Sequence, residues 1–234
     1  AGSSSAYIGS QTGGGTIDVR VGGTALLNGG GGTYGGVMIG SIDDSLGATT
    51  VKLSAASTIT ANGNAGGVLL GVKNPGAAGN SVTVKAGWDA AADAPSGQAG
   101  TIALNGQVAI KTDTSGDVLI QAYGGGVTLG AGTMTQGGSI SITGDAAVAL
   151  DGAVQGEGAV LAYGAGISIG AAGSVSSNAA GDAISLVSST TFTNNYGGNP
   201  LATPNGRWLV YAADPASVTK NGMTSAFRQY STVY

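Results

Sequence analysis

The sequence predicts an all-β chain wound as a parallel β-helix, a solenoid of about 20 residues per coil. Three observations carry that expectation. Short runs in which Val, Ile and Leu alternate with Thr, Ser, Lys and Asp recur along the chain, the period-2 pattern of half-buried strands. Glycine supplies 46 of the 234 residues, and Gly, Asn or Asp punctuates the runs where turns are needed. The runs also return at a near-constant interval, as in repeat architectures.

Taken in order, the early strands are Thr16-Ile17-Asp18-Val19-Arg20-Val21, Thr50-Val51-Lys52-Leu53 and Ser81-Val82-Thr83-Val84-Lys85. The helix-friendly stretch from Trp88 to Ala94 is short and meets Pro95-Ser96-Gly97, so it reads as a loop inserted between strands. One series of runs then begins near Thr101, Val118, Ser139, Ala159 and Ala183, and a second near Val108, Val127, Val148, Ile167 and Phe192. Ser139-Ile140-Ser141-Ile142-Thr143 and Gly166-Ile167-Ser168-Ile169 are the clearest alternating members. The best internal match sets Ala122–Gly130 against Ala162–Gly170, 40 residues or two periods later, and places Tyr123 and Tyr163 in one ladder. Hairpins of a β-sandwich would not generate such a match. With coils about 4.8 Å apart, about ten coils would make a rod roughly 50 Å long.

The regular beat ends near Asn195, dividing a β-helix over 1–195 from a segment over 196–234. Seven of the twelve aromatics lie from Phe192 onward, with Pro200, Pro204 and Pro215 among them. An open solenoid end leaves unpaired backbone and apolar core, so it must be capped or joined. The aromatic segment is read either as a cap on the final coil or as an inter-subunit joint. The candidate self-association residues are Phe192, Tyr196, Trp208, Tyr211, Phe227, Tyr230 and Tyr234 at this end, with Tyr7 and Ile8 at the other.

Composition removes many chemistries. With no Cys and no His there is no disulfide scaffold, zinc finger, haem ligand or His-based nucleophile relay. A net charge of −4 with eight Lys and Arg argues against nucleic acid and anionic membrane surfaces. No apolar run approaches the roughly 20 residues of a membrane helix, so no membrane insertion is expected. The chain opens with Ala1-Gly2-Ser3-Ser4-Ser5, not a basic then apolar stretch, and reads as a processed product or a fragment. Gly30-Gly31-Gly32-Thr33-Tyr34-Gly35 matches a phosphate-loop spacing, but no helix follows. No cofactor and no metal are expected.

Parallel β-helices also carry polysaccharide lyases and hydrolases. Glycoside hydrolysis needs two carboxyls facing one cleft. The chain has eleven Asp and a single Glu157, and no carboxylate pair recurs at one period. The inserted loop holds Trp88, Asp89 and Asp93, the best candidates for glycan contact.

The run Gly206-Arg207-Trp208-Leu209-Val210-Tyr211-Ala212-Ala213-Asp214-Pro215 resembles the "RWLVYSADP"-type element of large filamentous-haemagglutinin-like proteins of Gram-negative bacteria, a two-partner-secretion adhesin family. The upstream Gly-Ser-Ile-Ser-Ile and Ala-Ile-Ser-Leu runs are similar to the repeats of that family, while Asn221-Gly222-Met223 and Phe227-Arg228-Gln229-Tyr230 fit it loosely. The resemblance implies a right-handed coil and secretion through an outer-membrane partner. It also implies an extracellular or cell-surface location and a role in adhesion, aggregation or biofilm. The family's amino-terminal secretion domain is not among these residues. The expected function is a non-enzymatic structural or adhesive fibre, partnered by itself head-to-tail or by neighbouring modules of a longer parent. The alternatives are a monomeric adhesin binding glycans or cell surfaces through its flank, and a carbohydrate-active enzyme on the same fold.

Overall fold

Alternating strands bury one face each, and this chain buries that face by laying each strand on an earlier one. The computed structural model describes residues 5–31 and 36–225. Among these residues twenty strands form one sheet in which every pairing is parallel. The fold is all-β; the one helical element among the described residues is a 3-10 turn, Pro215–Ser217, capped by Asp214.

The pairings sort into three columns. The first contains Ala6–Ser10, Val37–Asp43, the later parts of Ile59–Asn74 and Ile102–Lys111, Met134–Gly137, Ala153–Gly156, Ser174–Ser177 and Leu201–Ala202. The second contains Gly15–Val21, Thr49–Ala55, Ser81–Ala86, Val118–Ala122, Ile140–Gly144, the first parts of Val160–Ile169 and Gly181–Asn194, and Gly206–Tyr211. The third contains Ala25–Asn28, the first parts of Ile59–Asn74 and Ile102–Lys111, Val127–Leu129, Val148–Leu150, the later parts of Val160–Ile169 and Gly181–Asn194, and Val218–Thr219. The chain visits first, second and third column in turn and completes the circuit eight times. At about 4.8 Å per step, seven steps give a stack about 34 Å high, shorter than ten equal coils would make.

The passes are unequal, which corrects the uniform period. In the third column Val127, Val148 and Ile167 are partners at steps of 21 and 19 residues, but Ile59 pairs with Ile102, 43 residues on. The extra length sits in the corners, above all in residues 87–101. The two series of runs hold from Val118 and Val127 onward. Their first members fall elsewhere, because the Thr101 run lies in the third column and the Val108 run in the first. The internal match is also displaced by two residues in the second column: Ala162 stacks on Ile142 and thence Ile120, not on the row of Ala122. Tyr163 therefore stands in the row of Thr143 and Gln121, and no Tyr123–Tyr163 ladder forms. Nor is residue 196 a break in the sheet, since all three columns gain a strand beyond it.

Inward side chains stack like on like. One rung set runs Ile17, Val51, Val82, Val118, Ile140, Val160, Ile184 and Trp208; another runs Ala25, Ile59, Ile102, Val127, Val148, Ile167, Phe192 and Val218. Each fully buried aliphatic rung stabilises the fold by roughly 1.5–3 kcal/mol relative to exposure. In the first column the set Ile39, Leu70, Ile110, Thr135, Val154 and Val175 contains one hydroxyl. Thr135 is buried and its Oγ1 has no hydrogen-bond partner among the described residues.

Glycines form a ladder of their own. Gly9, Gly40 and Gly71 are partners in the first column, with φ of 150°, 151° and 117°. A Cβ on Gly40 would lie 1.7 Å from the Gly71 carbonyl oxygen, and one on Gly71 would lie 2.0 Å from that of Lys111. Backbone occupies the space that a side chain would need.

Two outcomes are expected in urea denaturation at constant m-value. Thr135→Val raises stability by about 1 kcal/mol, because an unpaired buried hydroxyl is replaced by a methyl of similar size. Gly40→Ala lowers it by more than 1 kcal/mol, because the collision is with backbone and cannot be relieved by a rotamer change.

Candidate functional site

The first pass leaves an edge. Ala6–Ser10, Gly15–Val21 and Ala25–Asn28 pair with the second pass on one side, and no described residue pairs with them on the other. Their inward residues are correspondingly uncovered. Ile8 is 50% exposed, whereas its partner Ile39 is 1% exposed. Ile17, Val19, Val21 and Leu27 only partly join the core, while their partners Val51, Leu53, Ala55 and Ala61 are fully buried. A hollow of about 350 Å³ opens at the corner of this edge, lined by Gly9, Ser10, Gly13, Gly14, Gly15, Thr16 and Ile17, with Thr49 of the second pass. Tyr7 is exposed on the outer face, and its hydroxyl donates to the Ser10 carbonyl.

At the other end Gly206–Tyr211 is the last strand of the second column. Trp208 and Val210 lie half-buried on Ile184 and Leu186, Tyr211 follows Val187, and Arg207 forms an ion pair with Asp182. Tyr196 is exposed at a corner, where its amide donates to Asn194 Oδ1. Phe192 is not available for association. It is 1% exposed, a core rung between Ile167 and Val218, because its position in the strand faces inward. Phe227, Tyr230 and Tyr234 lie outside the described residues.

The insertion on the flank is a small antiparallel hairpin, with Trp88 opposite Pro95 and Asp89 opposite Ala94. It is anchored to neighbouring passes: Ser96 Oγ donates to the Ala56 carbonyl, Gly87 N to that of Ser57 and Gly100 N to that of Tyr123. Trp88 stacks on Tyr123 at a centroid distance of 4.9 Å, and Lys85 Nζ lies 3.7 Å from the Trp88 ring centroid. Together these contacts are worth about 1–2.5 kcal/mol. Asp89 Oδ1 accepts from the Ala91 and Ala92 amides, so its carboxylate organises the turn. Asp93 holds a positive φ of 49°. Partial burial raises the Tyr123 phenol, and the charges of Asp145 and Asp93 raise it further; Asp145 Oδ2 accepts from the adjacent Gly124 amide. Sequence reasoning found Trp88, Asp89 and Asp93 but not Lys85, Tyr123 or Asp145, which the stacking of passes brings to the hairpin.

A third polar locus lies at the corner between the first and second columns. Asp44 is buried, with Oδ1 accepting from Gly76 N at 2.7 Å and Oδ2 from Ala77 N at 2.7 Å and Asn80 Nδ2 at 2.6 Å. Asn80 Oδ1 accepts from Thr49 N, and Asn80 N donates to Asp113 Oδ2, so the network ties three successive passes together. Burial pushes Asp44 up, but the donors from Asn80, Ala77 and Gly76 outweigh it and hold the carboxyl below its ordinary value. Asp113 is likewise held low against partial burial by Ser115 and Asn80. Among the described residues no three acidic groups converge as metal ligands do. Among the described residues no helix is long and apolar enough to cross a membrane.

The chain matches no family model, no curated protein and no solved structure.

Because both carboxyls titrate lower in the folded state than unfolded, their stabilisation is complete above the ordinary value of 3.8 and is lost as pH falls through the depressed folded values. Thermal melts are therefore expected to hold steady near neutrality and to drop below about pH 4. Asp44→Asn should cost about 1–3 kcal/mol at pH 7 and flatten the acid drop.

Proposed function

We propose that the chain is a parallel β-helix that serves as a non-enzymatic structural and adhesive element, building a cell-surface or matrix fibre by end-to-end self-association. The observation that carries this reading is the first-pass edge: three strands that no described residue pairs on their outer side, with a half-uncovered core, in a stack whose inner passes are closed and whose last pass is likewise only partly covered. Edges of this kind are sites of strand addition unless something blocks them. The few charges between them, the continuous apolar rungs and the absence of His and Cys fit a molecule whose work is mechanical. The resemblance of residues 206–215 to the filamentous-haemagglutinin-like element adds a right-handed coil, export through an outer-membrane partner and display on a Gram-negative surface, with roles in adhesion, aggregation or biofilm.

A second reading places function on the flank, in glycan binding. The anchored hairpin supports it, since it stacks Trp88 on Tyr123 of the next pass at a corner that the other passes turn in a few residues. Glycan binding abolished by Trp88→Ala but unaffected by Val19→Lys would favour the flank over the ends.

Negative-stain electron microscopy across a concentration series tests the first reading. Uniform filaments that lengthen with concentration, and that vanish in Val19→Lys, are expected. Short single particles at every concentration would overturn it.

A further inference from the structure

Building on the end-to-end reading, we propose that the first-pass edge takes the last pass of a second copy of this chain, in parallel and in one register. Residues Ile17, Val19 and Val21 continue the rungs of Trp208, Val210 and Ala212.

Strand direction is the first argument. All three columns run parallel throughout, so only a head-to-tail copy extends all three with the same pairing; a head-to-head copy would reverse every strand at the joint. The second argument is parity. Inward positions of Gly15–Val21 are Ile17, Val19 and Val21, and those of the last strand are Trp208 and Val210, as their stacking on Ile184 and Leu186 shows, with Ala212 packed against the core just beyond the strand. A slip by one residue would turn three apolar side chains outward on one partner, so parity forbids odd slips. The third is charge. In this register Asp18 stands opposite Leu209 and diagonal to Arg207, while Arg20 stands opposite Tyr211 and continues the outer row of Tyr163, Val187 and Tyr211. No like charges meet, and Arg207, paired with Asp182 in its own chain, lies diagonal to the acidic member of the Asp18–Arg20 pair. Shape agrees as well. The hollow beside Gly13 and Gly14 lies at the corner between first and second columns, where the last pass presents exposed Pro204.

The contact uses different surfaces on the two partners and does not close on itself, so it propagates. Its product is an unbranched filament in which every joint repeats the step within a subunit.

The chain has no cysteine, so thiol cross-linking reads the register directly. Asp18→Cys and Leu209→Cys are made in separate chains, mixed and oxidised. Both positions face outward, and circular dichroism checks that each variant folds. Directly opposed residues stand within the about 4.4–6.8 Å that a disulfide spans, and residues displaced by two do not. A cross-linked 18–209 dimer is expected at severalfold the yield of the Asp18→Cys with Tyr211→Cys mixture. Filaments with no 18–209 preference would overturn the register while leaving end-to-end association standing. Neither filaments nor cross-links would overturn both.

Discussion

Everything in this molecule depends on one constraint: each strand must hydrogen-bond, in parallel and in register, to the strand one pass earlier and one pass later. A residue's environment is then set less by its neighbours in sequence than by two residues some 19 to 43 positions away. That is why aliphatic rungs stack on aliphatic rungs, and why an uncovered row on the first pass stands out against the closed rows of the inner passes. It is also why glycine recurs at Gly9, Gly40 and Gly71. The backbone there takes a path that brings the next pass's carbonyl where Cβ would stand, and the same path is repeated above and below.

The corners obey a different economy. Inside the stack polar atoms are scarce, but at the turns backbone amides lose their strand partners and need substitutes. Asp44, Asn80 and Asp113 provide them between the first and second columns. Between the third and first, Asn28, Asn62 and Asn105 stack, with the Asn105 side-chain amide donating to Asn62 Oδ1 and that of Asn62 to Asn28 Oδ1. Turns of different length are thereby fastened to one another without altering the strands they connect. The longest of them carries the Trp88 hairpin, and its stacking on Tyr123 is again a contact between successive passes.

Strand content and recurrence were legible in the sequence because Val, Ile and Leu alternation survives in the second and third columns. The first column was not, since Met134-Thr135-Gln136-Gly137 and Ala153-Val154-Gln155-Gly156 carry a single strong inward residue or none. Equal spacing was an illusion of the middle of the chain, where corners are short. Among candidate residues, the exposure of Tyr7 and Ile8 follows from their place on the first strand. The burial of Phe192 could have been read from its in-step position with Ile167, an inward rung. Asp44 left no trace, because an aspartate at a turn looks the same whether its carboxylate faces water or three donors.

Inter-strand hydrogen bonds point along the direction in which passes pile up, so a pull along that direction loads them head-on, layer by layer. Within a layer the bonds of three columns share the force; between layers the force is common to all. The weakest layer then decides the strength of the whole. Counting all three columns, the step from seventh to eighth pass holds ten residue pairs and the steps from fourth to fifth and fifth to sixth hold eleven each, whereas the step from first to second holds sixteen. Under tension this molecule would part like a stack of plates, one whole pass at a time, and its first three passes, joined by the most pairs, would hold longest.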